Sequence, residues 1–221
     1  MTSRGLFVTG TDTGVGKTYV AVGLLRALTD AGVRCVGMKP VAAGVARDGI
    51  NADVTALAAA GNVAAALPDR NPYSFADPVA PHLAAASTGR SIAMAVIGGA
   101  ASRLRALADV VIVEGAGGAL VPVDGRLDML DVAQYLEMPV LVVVGMRLGC
   151  INHALLTAMA VRRRGLELRG WIANALPAPM DFAEANVRTL AARLGEPAAV
   201  VPSGTAARFG GDVLARLGLR G

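Results

Sequence analysis

The chain has 221 residues, 54% of them hydrophobic, and a formal net charge of +4. That length suits a single domain, spanning 1–221, in which a central sheet is covered on both faces. Alanine carries much of the apolar fraction and the basic residues are scattered, so neither a membrane partner nor a nucleic-acid partner is expected.

The longest uncharged apolar run, residues 138–146, is too short to cross a bilayer. No signal-peptide core precedes the first apolar run, and Cys35 and Cys150 stand far apart without metal-ligand or disulfide spacing. A cytoplasmic protein is the expectation.

The first element is the apolar run Leu6-Phe7-Val8. It leads through Gly10-Thr11-Asp12-Thr13-Gly14-Val15-Gly16-Lys17-Thr18 into a stretch of helical spacing. Strand, glycine-rich loop and helix in that order describe a phosphate cradle. The glycines let successive backbone N–H groups turn inward, the helix start adds partial positive charge, and Lys17 adds a full one. The Thr18 hydroxyl is placed to ligate Mg²⁺. Five residues, rather than the usual four, separate Gly10 from Gly16-Lys17-Thr18.

The pattern then alternates strand and helix, which predicts an α/β fold: a mostly parallel, P-loop NTPase-like sheet with helices on both faces, a three-layer α/β/α arrangement. A second strand over 33–38 ends at Lys39-Pro40-Val41. Of the 21 basic residues only Lys17 and Lys39 are lysines, and every other one is arginine. A compact ammonium is therefore expected to be needed at Lys39 as well as in the loop. In open parallel sheets the carboxyl ends of strands face one crevice, so both lysines point to it.

Residues 42–50 read as a glycine- and alanine-rich loop, and Asn51-Ala52-Asp53 opens a helix. Asp53 either complements that helix start or holds Mg²⁺. The proline-bearing segment 67–89 reads as a structured loop over the sheet, with His82 structural or substrate-lining. A helix over 92–107 precedes the β-branched strand 110–113. That strand ends in Glu114-Gly115-Ala116-Gly117-Gly118, an acidic residue facing the phosphate loop with glycines that admit substrate. Further elements follow at 128–137 (helix), 140–144 (strand), a helix from Gly149 to about 164, 170–173 (strand ending at Asn174), 182–194 (helix), 198–201 (strand) and 212–217 (helix). The helix start at Gly149-Cys150-Ile151-Asn152 offers a second set of exposed N–H groups to an anion.

Taken together, these residues resemble the dethiobiotin synthetase family. The likeness rests on Val8-Thr9-Gly10-Thr11-Asp12-Thr13 with Gly16-Lys17-Thr18, Lys39-Pro40-Val41, Asn51 and Asp53, and Asn71-Pro72-Tyr73. It continues through Val113-Glu114-Gly115-Ala116-Gly117-Gly118, Gly149-Cys150-Ile151-Asn152-His153 and Trp171-Ile172-Ala173-Asn174. The resemblance implies a Mg-ATP-dependent ligase acting on 7,8-diaminopelargonic acid and CO₂ in biotin biosynthesis. It implies Lys39, Lys17 and Thr13 as catalytic groups. ATP would contact Asp12, Thr13, Gly14, Val15, Gly16, Lys17, Thr18, Glu114, Gly115, Ala116, Gly117 and Asn174, the last through adenine. Thr18, Asp53 and Glu114 would surround Mg²⁺. Substrate would meet Lys39, Ala43 and Gly117, with its carboxylate held by Gly149, Cys150, Ile151 and Asn152 of a neighbouring subunit in a homodimer.

Two positions depart from the family. Ala43 stands where some members carry a hydroxyl, and Gly14 where others have glutamate, so no side-chain role passes to Gly14. The closest alternative is a partitioning or metal-carrier ATPase switch, but such proteins place a second lysine where this chain has Asp12, and a metal carrier needs more cysteines. An amide-forming ligase of the cobalamin type would need a glutaminase domain, and a guanine switch would need Asn-Lys-x-Asp where this chain reads Asn174-Ala175-Leu176-Pro177.

Overall fold

A computed structural model describes residues 4–45 and 49–220. The residues before the first strand and the 46–48 part of the expected 42–50 loop lie outside it. In chain order the elements are β1 (Arg4–Gly10), α1 (Lys17–Asp30), β2 (Cys35–Met38), β3 (Val41–Ala43), α2 (Ala52–Ala60) and α3 (Leu67–Arg70). Next come β4 (Tyr73–Phe75), α4 (Pro81–Ser87), α5 (Met94–Leu107), β5 (Val110–Glu114), α6 (Met129–Tyr135) and β6 (Val140–Met146). The chain continues with α7 (Cys150–Arg163), β7 (Leu168–Ala175), α8 (Ala183–Leu194), β8 (Ala199–Val201) and α9 (Gly211–Arg216).

Six strands form one parallel sheet in the order β2-β5-β1-β6-β7-β8. Its central strands are apolar at nearly every position because both faces are covered. The alternation of side chains then divides the core in two. Phe7, Val111, Val113, Val140, Val142 and Trp171 pack on the face that carries α5, α6, α7 and α8. Leu6, Val8, Val110, Ile112, Leu141 and Ile172 pack on the opposite face with α1, α2 and α9. Each large side chain so buried contributes about 1.5–3 kcal/mol, which makes the sheet a rigid base for what stands at its carboxyl edge.

Register sets that edge. Met38 is level with Val113, and Val113 with Phe7, so Lys39, Glu114 and the end of β1 emerge side by side. β1 runs on to Gly10 before the phosphate loop turns back toward α1.

Two expected loops contain regular structure. Ala42 and Ala43 belong to β3, which pairs in parallel with β4 in a second, two-stranded sheet. The 67–89 segment holds α3, β4 and α4 rather than a loop alone. Three-residue strands carry too little alternation to register as a pattern. Here side-chain amides complete them. Asn71 Nδ2 donates to the carbonyls of Lys39 (2.7 Å) and Tyr73 (2.9 Å), and Asn51 Nδ2 donates to those of Ala43 (3.3 Å) and Gly44 (2.9 Å). Asn51 also caps α2 by accepting from the Asp53 N–H at 3.0 Å. Asp128 caps α6 in a reciprocal box with Asp131, and Arg164 pairs with both carboxylates, tying the end of α7 to α6.

Candidate active site

Among the described residues, the buried charged side chains are Lys17, Lys39 and Glu114, and all three stand at the carboxyl edge of β1, β2 and β5. The two lysines that escape the arginine bias are thus the two buried cations. They border a cavity of about 630 Å³ whose wall also includes Thr13, Gly14, Gly16, Thr18, Ala43, Asp53, Ala116 and Gly117.

Lys39 is the focus of the polar contacts. Its Nζ donates to Glu114 Oε1 at 2.7 Å and to the Asp53 carboxylate. Thr18 Oγ1 donates to the same Glu114 oxygen at 2.8 Å. Glu114 Oε2 is buried and has no partner within the protein. Burial pushes the Glu114 carboxyl up from its ordinary value, against the pull of Lys39. For Lys39, burial acts downward but the Glu114 and Asp53 carboxylates outweigh it, so the ammonium is held above its ordinary value. Lys17 shows the other balance: burial lowers it, and Glu114 only partly restores it. One well-compensated ammonium and one poorly compensated ammonium therefore face the same cavity. The second is the better placed to welcome an anion.

The phosphate loop is held from behind. Gly14 and Gly16 take φ of +73° and +92°, values suited to glycine. Lys17 Nζ donates to the Asp12 carbonyl at 3.0 Å, and Asn174 Nδ2 donates to the Val15 carbonyl at 2.9 Å. Val15 itself is buried, so only its backbone is offered to a ligand. The Asp12 side chain is turned aside: it accepts from its neighbour's N–H on Thr13 at 2.7 Å and pairs with Arg147. The Thr13 N–H, followed by Arg147, holds the Asp12 carboxyl below its ordinary value despite slight desolvation.

Not every expected site residue reaches this cavity. Asn174 lies on β7, level with Val201, which lines a second cavity of about 450 Å³ formed by β8 and by residues after it that include Pro202, Thr205 and Arg208. Its Oδ1 is buried and unpartnered. Gly149, Cys150, Ile151 and Asn152 begin α7 and do not line the cavity that holds Lys39. The Cys150 side chain is buried. What sequence reasoning missed is the cavity's outer wall, Pro78, Val79, Ala80 and Pro81 at the start of α4, for which the clustered prolines were the available signal.

The family described as "AAA domain" matches residues 4–204. ATP-dependent dethiobiotin synthetase BioD of Nitrosospira multiformis is 51% identical over 194 residues, 88% of this chain and 85% of that protein. The corresponding protein of Aromatoleum aromaticum is 50% identical over 197 residues, 88% of each. The chain belongs to the dethiobiotin synthetase family.

Structural likeness is broader than this family. The MinC:MinD cell division protein complex of Aquifex aeolicus superposes with a TM-score of 0.54 at 14% identity, over 90% of this chain and 81% of that one. A ParA family ATPase of Chlorobium tepidum gives 0.54 at 12%, over 97% and 91%. These likenesses show the three-layer P-loop fold and nothing further. Within the family likeness, the bond from Asn174 to Val15 has a cost that can be measured. Asn174→Ala leaves a buried carbonyl without its donor, an expected loss of about 1–3 kcal/mol. Urea unfolding should show a lower midpoint at unchanged slope, and an unchanged midpoint would contradict the role of the bond.

Proposed function

We propose that this protein joins CO₂ to 7,8-diaminopelargonic acid at the expense of ATP, giving dethiobiotin, ADP and phosphate. The observation that carries the reading is the placement of Lys39 between Glu114 and Asp53, across one cavity from the phosphate loop. One substrate amine takes up CO₂ as a carbamate and releases a proton. A carbamate oxygen then attacks the γ-phosphorus and ADP leaves. The second amine closes the ring on the carbonyl carbon, and phosphate leaves. Such chemistry needs alignment and charge neutralisation rather than a protein nucleophile. Lys17, poorly compensated by the protein's own carboxylates, meets the β- and γ-phosphates. Lys39 neutralises charge between carbamate and γ-phosphate, and Thr13 borders that point. Gly117 and Ala43 leave room for the substrate, and Ala43 offers it no hydroxyl.

The donor set suits Mg²⁺. Thr18, Asp53 and Glu114 present hard oxygens, and the lone pairs of Glu114 Oε2 are unpartnered in a buried place. Among the described residues no three His, Cys, Asp or Glu side chains form a cluster that could hold a metal by themselves. When bound, Mg²⁺ supplies charge neutralisation for the leaving diphosphate. Asn174 and the 202–208 segment are the place for the base.

The active unit in this reading is a homodimer working in the cytoplasm, with the substrate carboxylate at the Gly149–Asn152 backbone of the neighbour. Leu120, Leu148 and Leu156 support it, being more than half exposed on the flank of the phosphate loop and α7. Light scattering under assay conditions should give a dimer, and a fully active monomer would contradict this. No helix among the described residues is long and apolar enough to cross a membrane. The reaction itself is tested by supplying ¹³C-bicarbonate with ATP and diaminopelargonic acid. The product should carry one labelled carbonyl, and ADP release without label incorporation would overturn the assignment.

A further inference from the structure

The Lys39 ammonium bonds to two of the three groups read as metal ligands: it bridges Glu114 and Asp53, and Thr18, the third, donates to Glu114. We infer that Lys39 is the resident cation of the metal site, and that it withdraws from Glu114 and Asp53 only when metal and nucleotide arrive together. This rests on the reading of Thr18, Asp53 and Glu114 as metal ligands.

Three observations carry the inference. The Glu114 side chain is 1% exposed, and an ionised carboxylate so deeply buried is costly without a cation beside it. With Lys39 in place that cation is supplied, so a metal entering alone must displace a buried ammonium from both carboxylates it is bonded to. ATP changes the exchange, because the γ-phosphate supplies the anion that receives Lys39. Second, the Lys39 backbone is held in place by bonds that do not involve its ammonium. Its carbonyl accepts from Asn71, and its N–H donates to the Arg70 carbonyl at 2.8 Å. Only the four-carbon stem has to swing, into the cavity that adjoins it. Third, the Asp53 side chain is 40% exposed, so the exchange has an open side. The lysine that neutralises the transferring group is thereby released to it by the arrival of the metal, and idle metal is kept out of the empty enzyme. Arginine, with its broad fork, would not clear the site by the same small movement.

The test is a Mn²⁺ titration of nucleotide-free protein followed by electron paramagnetic resonance. Lys39→Met leaves Glu114 without its cation and should bind Mn²⁺ roughly tenfold more tightly than the unsubstituted chain, or better. Adding Glu114→Gln to Lys39→Met should abolish that gain. Equal or weaker Mn²⁺ binding by folded Lys39→Met would overturn the inference. Should that variant fail to fold, the unsubstituted chain decides the matter, since its two lysines give two side-chain ¹⁵N ammonium signals. The Lys39 signal should stay in place with millimolar Mg²⁺ alone and move when a non-hydrolysable ATP analogue is added with it. Movement with Mg²⁺ alone would contradict the inference. The two levels separate cleanly. If Glu114→Gln does not weaken Mn²⁺ in the presence of the analogue, the metal-ligand reading falls and takes the inference with it. If it does weaken Mn²⁺ while Lys39→Met shows no gain, only the resident-cation role falls.

Discussion

Lys39→Arg is expected to lower turnover by roughly 10³-fold while the protein stays folded. A guanidinium can still pair with Glu114 and Asp53, so the buried carboxylate keeps a partner and stability changes little. What would be lost, on the role proposed for Lys39, is a compact charge able to leave those carboxylates and stand between carbamate and γ-phosphate. The Lys39 side chain is 7% exposed, and its backbone is clamped by Asn71 and the Arg70 carbonyl, so the strand end cannot shift to re-aim a forked head that stays paired with those carboxylates. The check is kcat from ADP release together with a urea midpoint. Turnover within tenfold of the unsubstituted chain would remove Lys39 from the chemistry.

Gly16→Ala is the second large effect, and it acts through shape. Gly16 precedes α1 with φ of +92°, and a Cβ there falls on the Asn174 side-chain amide. The substitution therefore strains the backbone and also pushes out the group that holds the Val15 carbonyl. Stability should fall by about 1–3 kcal/mol, and ATP affinity by roughly a hundredfold as the loop loses its curvature. Gly14→Ala is the internal comparison. Gly14 also has positive φ, +73°, but a Cβ there meets nothing within 4 Å. It should cost only about 1–2 kcal/mol of left-handed strain. Equal ATP affinities for the two variants, by calorimetry, would show that the Asn174 contact does not shape the loop.

The six-stranded sheet was legible because its strands are apolar on both faces and separated by helix-length segments. Lys39 and Glu114 were legible for a different reason: each follows or ends such a strand, and Lys39 is one of two lysines in an arginine-rich chain. The small sheet of β3 and β4 was not legible. Three residues are too few for a period, and the pairing joins Val41 to Tyr73 across a gap no local pattern marks. Asn51 and Asn71 could be recognised as motif residues, yet their work as clamps on the Ala43 and Lys39 carbonyls depends on contacts made by folding. Asn174 shows the same limit. Its position at the end of a strand suggested a base contact, while its bond to Val15 spans 159 residues of sequence. The resemblance implied Asp12 as a nucleotide contact, but that its side chain also ties the loop to Arg147, just ahead of α7, depends on a contact made by folding.

In the function proposed for this protein, the phosphate loop and Lys39 form one bond-making site rather than the hydrolytic site of a switch. The most direct measurement is ADP release by the unsubstituted chain with Mg-ATP, in the presence and absence of diaminopelargonic acid plus bicarbonate. Release should be near background without the substrates and should rise to match dethiobiotin formation one for one with them. ATP hydrolysis indifferent to the diamine and bicarbonate would contradict the account.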